Sequence, residues 1–468
     1  MPIWIEHRFR GKFRNEAADA VPRTGAQDGL DGLFKQFDHG GKNNSASPLS
    51  ASGASKCALT PVLYVQPAQP PRGLFARAKI AYSLYMTTQG ILPSQAIGSL
   101  IETGAISAAK PLLPGQVQPA SLDLRLGSRV HRVRASFMPG PAATTAEQIE
   151  RFVLHTIDLS HGAVLECGCV YVAEVEEHLA LPPDVQGFAN PKSSTGRLDV
   201  VTRMIADHAP GFDQTVPGYH GRLYLEICPQ TFPILVRPGS RLSQLRFRAP
   251  MTGRTPELVQ DSAPSSLPGG EGQEAEGSCP RTLPAPLSGG TTPGGPLRET
   301  VLSVDLAGDG ASALIGYRAK RHTAVIDVDR VGAYELEEFW EPLLVTPQKR
   351  LILDPDEFYI LASKETVSVP PTYAAEMEPF NALMGEFRVH YAGFFDPGFG
   401  MAATGGEGSR AVLEVRSHKV PFILEDGQII GRLIYEPLTA FPAQLYGQGI
   451  GSHYQAQALK LSKHFRAR

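Results

Sequence analysis

Residues Tyr224–Phe247 read YLEICPQTFPILVRPGSRLSQLRF, and residues Val412–Tyr435 read VLEVRSHKVPFILEDGQIIGRLIY. Laid over each other without a gap, they pair Glu226 with Glu414, Pro233 with Pro421, Gly239 with Gly427 and Leu245 with Leu433. The same offset pairs Leu165 with Leu353, Tyr171 with Tyr359, and Pro182–Pro183 with Pro370–Pro371. After a small shift, HAPGFD (His208–Asp213) resembles HYAGFFD (His390–Asp396). Chance likeness does not hold one offset over about 80 residues, so the chain carries a tandem duplication of one unit.

Within each copy the local pattern is β. Runs such as GRLYLEI, FPILVRP and RLSQLRFR are short, alternate in polarity and are broken by Pro and Gly. That pattern predicts strands with frequent turns, as in a sandwich, jelly roll or barrel. Helical spacing is confined to SQAIGSLIETGA, with Ile97, Leu100 and Ile101 on one face, and to TAEQIERFVL. The expected fold is mainly β, with two tandem domains over residues 73–251 and 300–468 and few short helices. Residues 1–72 and 252–299 are rich in Gly, Ser and Pro and poor in apolar side chains. Such segments bury too little surface to offset chain entropy; a disordered extension and a low-complexity linker are expected.

Composition excludes several classes. The net charge is −3, from 44 Lys and Arg against 47 Asp and Glu, with no basic cluster; this disfavours a nucleic-acid polymer as partner. No run approaches the ~18 apolar residues that span a bilayer, and the N-terminal residues lack an apolar secretory core. The five cysteines are odd in number and form no CxxC pair, which points to a reducing compartment. A cytoplasmic protein without membrane contact is expected. Cys167 and Cys169 alternate in VLECGCVYV, read as one strand carrying small buried thiols rather than a metal pair.

Chemistry concentrates in NPKSSTGRLDV, Asn190–Val200. The following apolar residues, Val201–Ile205, read as prolonging a helix from Gly196, with Ser193 or Ser194 at its N-cap. Free N–H groups, two hydroxyls and the cations Lys192 and Arg197 would suit a polyphosphate; the plainer alternative is a capped helix with two surface cations. Glu226 lies mid-strand among apolar residues, where a carboxylate is costly unless paired or used. A buried glutamate of raised pKa is a natural general base or acid, whereas on an edge strand it would face water.

Together these motifs resemble the dCTP deaminase family, relatives of the trimeric dUTPases. KSSTGR resembles the family's phosphate motif, and QPASLDLRLGSRVHRV (Gln118–Val133) its early strand. RLYLEI resembles the strand of the catalytic glutamate, FFDPGFG (Phe394–Gly400) a D-P-G-W turn, and YGQGIGSHYQAQ (Tyr446–Gln457) the closing tail. The long, duplicated form of the family matches best. The resemblance implies a dUTPase-like β-clip, a distorted jelly roll, and the reaction of dCTP with water to dUTP and ammonia. It also implies zinc independence, Mg²⁺ bound with the triphosphate, and a homo-oligomer, trimeric or pseudo-trimeric. The H-x-E and P-C-x-x-C pattern of zinc deaminases is absent.

By the same resemblance Glu226 or Glu414 would carry protons, and Ser193 and Arg197 would place water or phosphate. Lys192 and Ser194 would hold phosphate oxygens, and Tyr446, His453, Tyr454 and Gln457 would fold over the nucleotide. Glu226 is the first choice because it shares a repeat with the intact phosphate motif; a site composed across repeats would use Glu414 instead. The second copy has NALMG (Asn381–Gly385) where the first has SSTGR, and only it keeps the tight turn. His453 stands where the family has Lys. Competing functions are a dUTP diphosphatase or bifunctional enzyme, with Asp213 or Asp396 orienting water, and a non-catalytic nucleotide sensor.

Overall fold

The computed structural model describes residues 90–249 and 299–466, except 309–312, 380–386, 391–392, 402–403, 405–407, 418, 449–453 and 455–458. The N-terminal extension, the linker up to residue 298, the NALMG stretch, His453 and Gln457 lie outside the described residues.

Strands dominate, with four helices among the described residues. The duplication is visible strand by strand. In the first repeat a five-strand path runs Val153–Asp158, Leu126–Val133, Tyr171–Ala180, His220–Pro229, Val200–Ala206. In the second it runs Trp340–Leu344, Leu314–Ala319, Phe358–Val367, Ser409–Ser417, Phe387–His390, in the same order and antiparallel throughout. Even the register repeats. Glu226 faces Val172 and Arg203 on its two neighbours, and Glu414 faces Ile360 and His390. The paired glycines have one cause: Gly239 and Gly427 both turn with φ near the left-handed region, at 89° and 79°.

Two readings of local structure are corrected. VVTRMI does not prolong a helix; Val200–Ala206 is a strand. The helix spans only Ser193–Gly196, its N-cap position is Lys192, and no side chain caps it. Asp199 takes a φ of 57° and reverses the chain, and the β-branched Val200, Val201 and Thr202 favour a pleated surface. VLECGCVYV is likewise not one strand. A turn at Cys167–Gly168, with Gly168 at φ 70°, separates Ala163–Leu165 from Tyr171–Ala180 and leaves Cys167 exposed.

The repeats do not keep separate cores. One apolar cluster combines Leu225, Phe232 and Phe247 of the first repeat with Phe339, Trp340, Phe358 and Val412 of the second. Phe232 meets Trp340 edge-on, with ring centroids 5.3 Å apart. A parallel bridge pairs Ile234 with Ile326 across the junction, beside a bidentate Arg237–Asp327 pair at 2.8 and 2.9 Å. A second core lies wholly within the second repeat, around Leu361, Leu413, Val415 and Leu433. The strand Ser409–Ser417 divides its side chains accordingly: Leu413 and Val415 enter that core, while Val412 and Glu414 turn toward the first repeat. No helix among the described residues is long and apolar enough to cross a membrane.

Candidate active site

A cavity of about 550 Å³ opens where the two repeats meet, a size common for small-molecule sites. The first repeat contributes Asp123, Lys192, Ser193, Ser194, Arg197 and Arg241. From the second come Phe394, Phe395, Asp396, Phe399, Val412 and Glu414, and from the tail Tyr446, Tyr454 and Lys463.

One end is cationic. Lys192 leaves the strand Gln186–Pro191 and pairs with Asp123, whose other oxygen lies 3.3 Å from Arg241. Ser194 is buried and Ser193 half-buried on the helical turn that follows. That turn holds Arg197 inward. Its guanidinium stacks on Tyr454 at 4.0 Å from the ring centre and donates to the Lys460 carbonyl at 2.7 Å. Its Nε lies 3.7 Å from a carboxylate oxygen of Glu414.

The other end is apolar and holds two buried acids. Burial pushes the Glu414 carboxyl up to about 8; Arg197 opposes the rise but does not cancel it. Burial also raises Asp396, against the pull of Arg246 and Lys192. Among the described residues its Oδ1 has no hydrogen-bond partner, and it lies 3.7 Å from Arg246. The turn Asp396–Phe399 closes through Phe399 N–H to Asp396 O at 3.1 Å. Tyr446 packs on Phe399 with centroids 5.6 Å apart, and its hydroxyl accepts from Tyr454 N at 3.2 Å.

Of the residues expected from sequence, the structure therefore gathers Lys192, Ser193, Ser194, Arg197, Asp396, Glu414, Tyr446 and Tyr454 in one place. Glu226 and Asp213 are corrected: neither lines the cavity. Glu226 is fully buried and bound by Arg203, whose Nε donates at 2.9 Å and whose guanidinium stacks on Phe212. Sharing a repeat with the phosphate motif is thus not proximity to it; the motif packs against the neighbouring repeat. Asp213 accepts from Met204 N at 2.7 Å, and burial lifts it to about 7. Sequence reasoning missed Asp123, Arg241 and Lys463. Asp123 carried a signal, an acid between two leucines of a strand; Arg241 and Lys463 carried none. Among the described residues no group of three or more His, Cys, Asp or Glu is arranged to hold a metal ion.

Comparison with known proteins follows the same division. Residues 88–251 match the family described as 2'-deoxycytidine 5'-triphosphate deaminase (DCD) N-terminal domain, and residues 290–465 its C-terminal domain. A "dCTP deaminase" of Halorubrum lacusprofundi is 34% identical over 134 residues, 28% of this chain and 63% of the relative, so the chain spans just under two thirds of that protein. A "dCTP deaminase, dUMP-forming" of Halobacterium salinarum is 30% identical over 168 residues, 35% of this chain and 80% of the relative. The crystal structure of 2'-deoxycytidine 5'-triphosphate deaminase from Agrobacterium tumefaciens is 53% identical, with a TM-score of 0.64. That match covers 75% of this chain and all of the other.

Proposed function

The chain belongs to the dCTP deaminase family, and from that premise we propose that it converts dCTP and water to dUTP and ammonia. The observation that carries this reading is the meeting of Lys192, Ser193, Ser194 and Arg197 from one repeat with Glu414 from the other in one cavity.

The cationic end takes the triphosphate. Lys192, Arg197 and Arg241 offer charge-assisted donors, and the two serine hydroxyls add neutral ones. Magnesium enters as part of the substrate, held by phosphate and water. The cytosine ring reaches the apolar end. There Glu414 takes a proton from water as its oxygen bonds to C4, then returns it to N3. The second water proton leaves with the exocyclic nitrogen as ammonia, and the C4–N bond breaks. The Asp396 Oδ1, which no described residue hydrogen-bonds, suits a donor from the nucleoside. Zinc has no part in this scheme. Incubating purified protein with magnesium and dCTP should release one ammonia per dUTP. 1,10-Phenanthroline should leave the rate unchanged; loss of activity that added zinc restores would defeat the zinc-free mechanism.

Below about pH 8 most Glu414 carboxyls are protonated and cannot accept from water. The proton-accepting fraction grows about tenfold per pH unit until it saturates. Log kcat/KM should therefore rise with slope near +1 and level off near pH 8. The same ionisation costs folding free energy, because the unfolded carboxyl loses its proton near its ordinary value of 4.5. Stability from this group is complete below that value and is lost as pH rises through about 8. A flat rate profile between pH 6 and 8 would contradict Glu414 as base.

A second reading, hydrolysis onward to dUMP and pyrophosphate, is favoured by one observation. Asp396, the turn acid that could orient water for that step, lies in the same cavity. Chromatography of the product distinguishes the two.

The protein acts as a homo-oligomer in the cytoplasm, trimeric or pseudo-trimeric. Free thiols at Cys167, Cys169 and Cys228 support the reducing compartment. Ile352 and Ile423, cross-strand partners that remain 56% and 58% exposed, support an apolar association face. Sedimentation velocity tests that assembly.

A further inference from the structure

We propose that Lys463 binds substrate phosphate, carried into the cavity on the strapped C-terminal segment to complete a three-cation grip with Lys192 and Arg241. This rests on reading the cavity as a deoxynucleoside triphosphate site, and it adds a residue beyond all the motifs above.

The segment around Lys463 is fixed from several sides. Ser462 Oγ donates to the Ser194 carbonyl at 2.7 Å, on the phosphate turn itself. His464 Nε2 lies 2.9 Å from the Val328 carbonyl, and Nδ1 lies 2.9 Å from Ser462 Oγ. Phe465 packs on Phe339 and Trp340, with centroids 5.4 and 5.9 Å away. Lys463 N donates to the Tyr454 hydroxyl at 3.2 Å. The backbone is thus held on both sides of Lys463, and its side chain lines the cavity.

Charge then points to an anion. Asp123 is contacted by both Lys192 and Arg241. Lys463 is half-buried and, among the described residues, makes no ion pair. Lys463 lines the same cavity and feels the charges of Lys192, Arg241 and Asp123, so three cations share the field of that one carboxylate. Burial first, then Lys192 and Arg241, hold the Lys463 ammonium below its usual range against the pull of Asp123 and Asp329, and a polyphosphate would add the negative charge this site favours.

The test is calorimetric binding of inorganic tripolyphosphate, with steady-state kinetics on magnesium dCTP, for wild type, Lys463→Met and Lys463→Arg. Lys463→Met should weaken tripolyphosphate binding and raise KM for dCTP by roughly 10- to 100-fold, with a much smaller change in kcat. Lys463→Arg should recover most of the loss. Wild-type affinity in Lys463→Met, or a loss in Lys463→Arg as deep as in Lys463→Met, overturns the proposal. If wild type binds tripolyphosphate through Lys463 yet releases no ammonia from dCTP, the deaminase reading fails while the phosphate role stands.

Discussion

Glu414→Gln is expected to lower kcat for dCTP deamination by roughly 10²- to 10⁴-fold, the usual worth of a general acid–base residue. Binding of magnesium dCTP should stay within a few-fold. The amide keeps the size of the side chain, and at neutral pH it resembles the protonated carboxyl that burial favours. The fold should therefore hold, and the variant should lose the slope in the pH–rate profile as well as the rate. Glu226→Gln is the matched control. Its carboxylate is engaged by Arg203 away from the cavity, so kcat should change by only a few-fold. Full turnover in Glu414→Gln would remove the proposed base. A wild type that binds dCTP without turning it over would mark a sensor instead.

Arg246→Met is expected to cost about 3–5 kcal/mol of stability, the range for removing one partner of a buried charge pair. The melting temperature should fall on the order of 10 °C. Arg246 is 1% exposed and begins in the first repeat, yet its contacts lie in the second. It donates to the carbonyls of Ala375 and Phe395 at 3.0 Å each, stacks on Phe394 and stands by Asp396. Glu376 belongs to the same group, since it feels Arg246 and accepts from Asn190 of the NPKSS stretch at 2.7 Å. Methionine fills the space but removes the leading cation beside buried Asp396 and half-buried Glu376. Both would then hold protons to higher pH, so the deficit should widen as pH rises from 6 to 9 in melts by differential scanning fluorimetry. Lysine at 246 should recover little, because one ammonium cannot bridge two carbonyls and stack as well. KM should rise too, because the turn bearing Asp396 loses its anchor. An unchanged melt would show that the repeats are held by their shared apolar core alone.

The repeat framework was legible because its signals are local. Alternation of period two, Pro and Gly at turns, and one offset held along the chain need no knowledge of packing. The polar stretch KSSTGR was equally legible as a composition, though its shape was not. Helix continuation through VVTRMI failed because apolar content alone does not separate a buried strand from a helix, and Asp199 reversed the chain. The strand reading of the cysteines failed at a glycine whose backbone could turn.

The sequence by itself determined a doubled, mainly β scaffold and set out the polar stretch KSSTGR and the paired glutamates as candidates. It could not choose between two glutamates, because Glu226 and Glu414 occupy equivalent strand positions with equivalent neighbours. Tertiary packing brings only Glu414 to the cavity. The Lys192–Arg197 turn of one repeat faces a strand of the other, so Arg197 meets Glu414 while Arg203 pairs with Glu226. Proximity between residues far apart in the chain is a property of the interface that buries them, and local sequence does not encode it.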